Sequence, residues 1–215
     1  SLVFSQENTY TSRVINDFSA INTNLSGAWI KNPVYNHIEG TVYLFQDWST
    51  YGVITTNEDL NISIKGLNYD TTIDHFVAKT SNDSVYIFNN SNIKEVLVNK
   101  VKFKKYPIHE LNKKMYFQVM AVGKNMEILK RTIKKIKPGV LNPLTQVASP
   151  DKYVNKETYY VFSESNMTEV KLKKKAFCKL FGENSKAINK YISEKKLSLN
   201  DERNLQVILN YYNTL

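Results

Sequence analysis

From Gly40 onward, short runs of β-branched and aromatic residues alternate with clusters of Asn, Asp, Ser and Gly. Runs at 41–45, 51–55, 60–65, 72–79, 84–88 and 95–103 predict strands. Leu60, Ile62 and Ile64 alternate with Asn61, Ser63 and Lys65, which puts one face on a core and the other in water. Ser81-Asn82-Asp83 predicts a hairpin turn, and gaps this short leave no room for helical crossovers. The sheet is therefore expected to be largely antiparallel. Residues 115–122 resume the pattern before a tight turn at Gly123-Lys124-Asn125. The next segment, 126–137, admits two periods. Met126 and Ile128 alternate as in a strand, while Leu129, Ile133 and Ile136 have helical spacing; the hairpin-like turn before them favours a strand. Ahead of Gly40 the signal is mixed, with Val14, Phe18 and Ile21 spaced for a helical turn or two.

Pro138, Gly139, Pro143 and Pro150 make 138–150 the clearest break in the chain, and it reads as a linker. Beyond it, 158–162 and 168–172 flank a second hairpin turn, and then the period becomes helical. Ala176, Phe177, Leu180 and Phe181 form one apolar stripe that Gly182 can end. Ala187, Ile188, Tyr191 and Ile192 form a second, with Asn184 as its cap. Leu205, Ile208, Leu209 and Tyr212 form a third, capped by Ser198 or Asn200 with Asp201 and Glu202 in its first turn. The expected class is α+β: an antiparallel β-sheet or β-roll, then a β-hairpin and about three short C-terminal helices docked on the sheet. The expected boundaries are an N-terminal extension at 1–39, a β domain at 40–137, a linker at 138–154 and the hairpin with its helices at 155–215.

Composition narrows the chemistry. A chain of 215 residues with 42% hydrophobic content can build a core without metal or disulfide staples. The net charge of +9 suggests phosphate binding, but only Arg13, Arg131 and Arg203 are arginine, and base and bidentate phosphate recognition favours guanidinium. A surplus of Lys with abundant Asn and Ile is what an A·T-rich genome produces unaided. The charge therefore reads as a solvated basic surface or a match for an acidic partner, with nucleic acid set aside. The lone cysteine, Cys178, lies among Ala176, Phe177, Leu180 and Phe181 and reads as a buried, inert thiol. No stretch reaches the ~18 apolar residues of a membrane span. Ser1-Leu2-Val3-Phe4-Ser5-Gln6 turns polar at Glu7-Asn8, as the end of a secretory signal peptide does, and export is the expectation.

His37, His75 and His109 are far apart in sequence, and no tight ligand spacing points to zinc. Asp74 and His75, as neighbours in a strand, should point to opposite faces. Nucleophile elbows and phosphate-cradling glycine loops are lacking. Glu39, Asp47, Asp59 and Asp74 are carboxylates that distant strands would have to bring together for catalysis. The expectation is a protein without a catalytic residue, metal or cofactor. Two features read as binding elements. Trp48 and Tyr51 sit beside turn residues as an aromatic anchor, or else Trp48 packs over the sheet end. Lys130, Arg131, Lys134 and Lys135, with 171–175, can meet acidic partners or anionic lipid headgroups, or else form solvated faces.

The order Gly40-Thr41-Val42-Tyr43-Leu44, Asp47-Trp48, Gly52-Val53-Ile54, Val85-Tyr86 and Lys175-Ala176-Phe177 resembles a group of uncharacterised exported proteins of flavobacteria and other Bacteroidetes. The ending Tyr191-Ile192, Lys196-Leu197-Ser198-Leu199 and Tyr211-Tyr212-Asn213 is similar to the close of that group. The resemblance implies a cleaved signal peptide and a periplasmic location, and it carries over no catalytic residue. Its lineage suggests an accessory or plug subunit of an outer-membrane secretion complex, the type 9 translocon, or of an assembly complex. A small-molecule or glycan-binding module built on Trp48 and Tyr51 is the other reading.

Overall fold

The computed structural model describes residues 13–15, 25–31, 38–79 and 84–215. The signal-like start, Phe18, Ile21, His37 and the turn at 81–83 lie outside them. The chain divides into two compact units, one of Ser1–Pro33, Phe45–Tyr69 and His75–Lys100, the other of Val34–Leu44, Asp70–Asp74 and Val101–Leu215. Both are mostly β, and the second adds the helices.

The first unit holds β1 (Arg13–Ile15), β2 (Gly27–Lys31), β4 (Tyr51–Thr56), β5 (Asn61–Lys65), β6 (Leu67–Asp70), β7 (His75–Lys79), β8 (Ser84–Phe88) and β9 (Ile93–Val98). They form a sheet path β1-β5-β4-β9 and a four-stranded sheet β2-β8-β7-β6. β5 keeps its alternation, with Ile62 and Ile64 buried. Val14 lies in a strand parallel to β5, not in a helical turn. A three-residue run is too short to show its period, and here a sheet partner decides.

The expected strand at 72–79 begins only at His75. The Asp70 carboxylate accepts the backbone N–H of Thr72 at 2.9 Å and the Thr72 hydroxyl at 2.6 Å, bending 70–74 into a turn that ends on Asp74 at φ 60°. A local side-chain bond has outcompeted the ladder for a Thr-Thr-Ile run of high strand propensity.

The second unit is built on β10 (Val101–Ile108), β11 (Lys113–Val122), β12 (Glu127–Lys137), β13 (Asp151–Ser163) and β14 (Asn166–Val170), each antiparallel to the next. β3 (Ile38–Glu39) lies parallel to the start of β13. The segment 126–137 is thus a strand from Glu127. Residues 138–150 join β12 to β13, which pair over eleven positions, so the chain turns back on itself there instead of passing to a separate domain. Proline and glycine mark where regular structure stops, not what lies on either side.

The five strands curl. Tyr106 on β10 and Phe162 on β13 are three strands apart, about 14 Å in a flat sheet, yet their ring centroids are 5.0 Å apart. His109 Nε2 and the Ser165 carbonyl oxygen, at the ends of the two outer hairpins, lie 3.2 Å apart. The concave side is filled by Tyr106, Met115, Phe117 and Leu129, with Tyr160 and Phe162 against them.

The helices dock on the convex side. α1 (Lys174–Cys178) is one turn that runs on as 3-10 turns through Asn184, broken at Gly182 (φ 52°); α2 (Ser185–Glu194) and α3 (Glu202–Tyr212) are full helices. Phe177, Phe181, Ile188, Ile192, Leu205, Ile208 and Leu209 bury themselves against Met120, Ala121, Ile128 and Val161 of the sheet. Asp201 caps α3, accepting the Arg203 N–H at 2.9 Å, in place of Ser198 or Asn200. Gln206 holds α3 to the sheet by accepting the Val122 N–H at 2.9 Å and donating to its carbonyl at 2.8 Å. No helix among the described residues is long and apolar enough to cross a membrane.

Candidate functional site

β11 and β12 pair from Val122↔Glu127 to Gln118↔Lys130 and then part. The turn at 70–74 fills the fork. Thr71 Oγ1 accepts the Lys134 N–H at 3.0 Å and donates to the Val42 carbonyl at 3.0 Å, while Asp74 Oδ1 accepts the Tyr116 N–H at 3.4 Å. Buried backbone donors left by a splitting sheet need such partners. Beyond the fork, β12 and β13 continue as an arm.

The arm divides the basic stretch between two faces, because strand neighbours alternate. Lys130, Thr132 and Lys134 share the convex side with Ile128; Arg131 and Lys135 share the concave side with Leu129. Lys130 pairs with Glu157 at 3.6 Å, and Arg131 meets Asp74 at 4.0 Å. Lys134 is half-buried and Lys135 exposed. Desolvation holds the Lys134 ammonium below its usual range, and does the same to Lys105. Gln118 Oε1, Thr132 Oγ1 and Arg131 Nε are buried without hydrogen-bond partners among the described residues, which makes the fork a polar seam within the unit.

Burial, aided by the charge of Asp74, pushes the Tyr116 phenol well above its ordinary value of 10.0. Between the unfolded and folded values the folded chain keeps a proton that the unfolded chain has lost, so stability falls as pH rises above about 10. Melting temperatures measured from neutral to strongly alkaline pH are expected to decline there, and Tyr116→Phe to flatten the decline. An unchanged slope in that variant would assign it to Tyr86, Tyr159 or Tyr160, which burial also raises.

At the end of the arm, 138–150 is a built loop. Gly139 N–H donates to Asp151 Oδ1 at 2.8 Å, Val140 N–H to Ser149 Oγ at 2.9 Å and Ser149 N–H to the Val140 carbonyl at 3.1 Å. Asn142 N–H reaches the Val147 carbonyl at 3.0 Å, and Asn142 accepts Gln146 N–H on its carbonyl at 2.8 Å and Leu144 N–H on its side chain at 2.9 Å. Glycine is required at 139, where a Cβ would come within 1.7 Å of the Ser149 carbonyl. This frame holds apolar side chains outward: Leu144 is 93% exposed and Val140 69%, with Leu141, Val147 and Ile136 also exposed. The arm tip was not marked as a site by its sequence. The available signal was four branched aliphatic residues, at 140, 141, 144 and 147, inside a segment with no charge.

Trp48 and Tyr51 belong to the first unit. Tyr51 opens β4, half-exposed, opposite Lys65; Trp48 is half-buried in the preceding bend, where Asp47 accepts the N–H and hydroxyl of Ser49. β2, last in its sheet, exposes all five of its residues, Trp29 and Ile30 among them. Cys178 is buried, its thiol pushed up by burial. Among the described residues no three His, Cys, Asp or Glu side chains converge as a metal ion would require. No family model, curated protein or solved structure matches the chain.

Proposed function

We propose that the protein works by association and not by catalysis, and that the β12–β13 arm is the element that docks on a larger partner. One observation carries this reading: an internally bonded loop, 138–150, holds Val140, Leu141, Leu144 and Val147 out in solvent at the end of a paired strand arm. Single exposed apolar residues are ordinary, but several gathered on an ordered projection favour an interaction site. The sequence supports a setting for it. The resemblance to exported flavobacterial proteins supports a periplasmic location and a role as an accessory subunit of an outer-membrane secretion or assembly complex.

The test is affinity isolation from the native cell envelope after mild solubilisation. It compares the protein with a variant carrying Val140→Ser, Leu141→Ser, Leu144→Ser and Val147→Ser. The native chain should come away with a large assembly and the variant alone. Melting temperatures should agree, since substitutions at exposed positions usually change stability by no more than about 0.5 kcal/mol. Equal recovery of the assembly by both proteins would remove the arm from the docking role.

A further inference from the structure

The reading of the arm as the docking element can be taken one step further, to the chemistry of the surface it meets. We infer that the loop 138–150 inserts into the interfacial region of an anionic lipid bilayer, with the lysines behind it seated among the headgroup phosphates.

Three observations converge on lipid. The thirteen residues from Pro138 to Pro150 contain no charged side chain, while the strands behind them carry Lys134, Lys135, Lys137, Lys152 and Lys156. Lys137 and Lys152 face each other across the ladder at the base of the loop, so the border between apolar and cationic is sharp. Asp151 is the one acidic residue between Ile133 and Lys156, and it is occupied by the Gly139 N–H. β3 adds Glu39 beside Lys152, and the lysine excess remains. An apolar end backed by lysines matches the depth profile of an interface, where chain ends lie below and phosphates above.

The third observation concerns the backbone. An apolar medium penalises each amide that it cannot hydrogen-bond. The loop has met much of that condition: Pro138, Pro143 and Pro150 have no N–H, the amides of Val140, Asn142, Leu144, Thr145, Gln146 and Ser149 are bonded inside it, and that of Gly139 is bonded to Asp151 at its base. A protein groove rewards apolar side chains equally but does not demand a loop that bonds most of its own amides.

The full chain is mixed with sedimentable vesicles of phosphatidylcholine alone or containing phosphatidylglycerol, at low and high salt. Binding is expected to the anionic vesicles only, weakening with salt as phosphate–lysine attraction is screened. Leu141→Ser with Leu144→Ser, and separately Lys137→Gln with Lys152→Gln, should each lower the partition coefficient by about tenfold or more. A tryptophan placed by Leu144→Trp should shift its emission to the blue on anionic vesicles and be quenched by lipid-borne quenchers. Failure of the native chain to sediment, indifference to the leucine pair, or an unshifted Trp emission would each overturn the inference. If protein-free vesicles fail while the envelope isolation still depends on the loop, the partner is a protein, and docking through the arm stands without lipid. If neither the vesicles nor the envelope isolation depends on the loop, the docking reading itself falls.

Discussion

Phe117→Ala is expected to cost about 3–5 kcal/mol, the range for removing a large ring from a packed core. Phe117 is 1% exposed on the concave side of the curled sheet. Tyr106 meets it edge-on at 5.9 Å and Tyr160 at 5.2 Å, while Tyr106 also meets Phe162. These rings and Leu129 come from four different strands, β10 to β13, whose ladders fix their backbones. Collapse into the vacated space would mean uncurling the sheet, so most of the cavity should persist and the loss should fall high in its range. Tyr106→Phe is the informative comparison. It keeps the ring contacts and removes only the hydroxyl that donates to Glu127, a net loss of about 1–3 kcal/mol for a bond to a charged acceptor. Denaturant midpoints with near-ultraviolet circular dichroism would separate the two. A loss under about 1 kcal/mol for Phe117→Ala would mean that the concave side is not close-packed.

Much of this architecture is legible in the residues, for identifiable reasons. β5 shows its face because Leu60, Ile62 and Ile64 are spaced at the strand period and the strand is solvated on one side. The helical stripes are legible because each helix buries a single face: Ile188 and Ile192, then Leu205, Ile208 and Leu209. β12 is ambiguous in sequence because both of its faces are partly covered, burying Ile128 and Leu129 in succession; that adjacency blurs the two-residue period. The turn at 70–74 was hidden by propensity, since Thr71, Thr72 and Ile73 are good strand formers and only the Asp70 side chain overrides them. The arm tip was hidden by composition. Pro and Gly signal a break in regular structure, and nothing in them tells a tether from a rigid loop that displays Leu144. The fork was beyond reach because it depends on Thr71 meeting Lys134 across sixty-three positions of sequence.

The second large effect is expected on the convex side, where two adjacent residues of α3 should behave oppositely. Ile208 is fully buried and Val207 is 39% exposed. Ile208→Ala removes packing against a cluster that joins α1, α2 and α3 to Met120, Ile128 and Val161, and should cost about 2–5 kcal/mol. Val207→Ala trades a β-branched residue for the best helix former at a partly solvated position, so its loss should stay within about 0.5 kcal/mol. The larger loss has a structural consequence as well. α3 is pinned at Val122 by Gln206 and at Lys124 by Asn213, whose side chain accepts the Lys124 N–H at 2.9 Å. Both anchors are exposed and bond groups that water can also satisfy, so they add little net stability once the apolar face loosens. α3 should therefore open as a unit in Ile208→Ala before the sheet does, exposing Met120, Met126 and Ile128. Amide exchange can follow this directly. Protection should fall across 202–212 and at Val122 and Lys124, while the paired stretch of β12 and β13 stays protected. Loss of protection that is uniform over sheet and helix would mean that α3 is part of the sheet's own cooperative unit, and would remove the convex docking as a separable step.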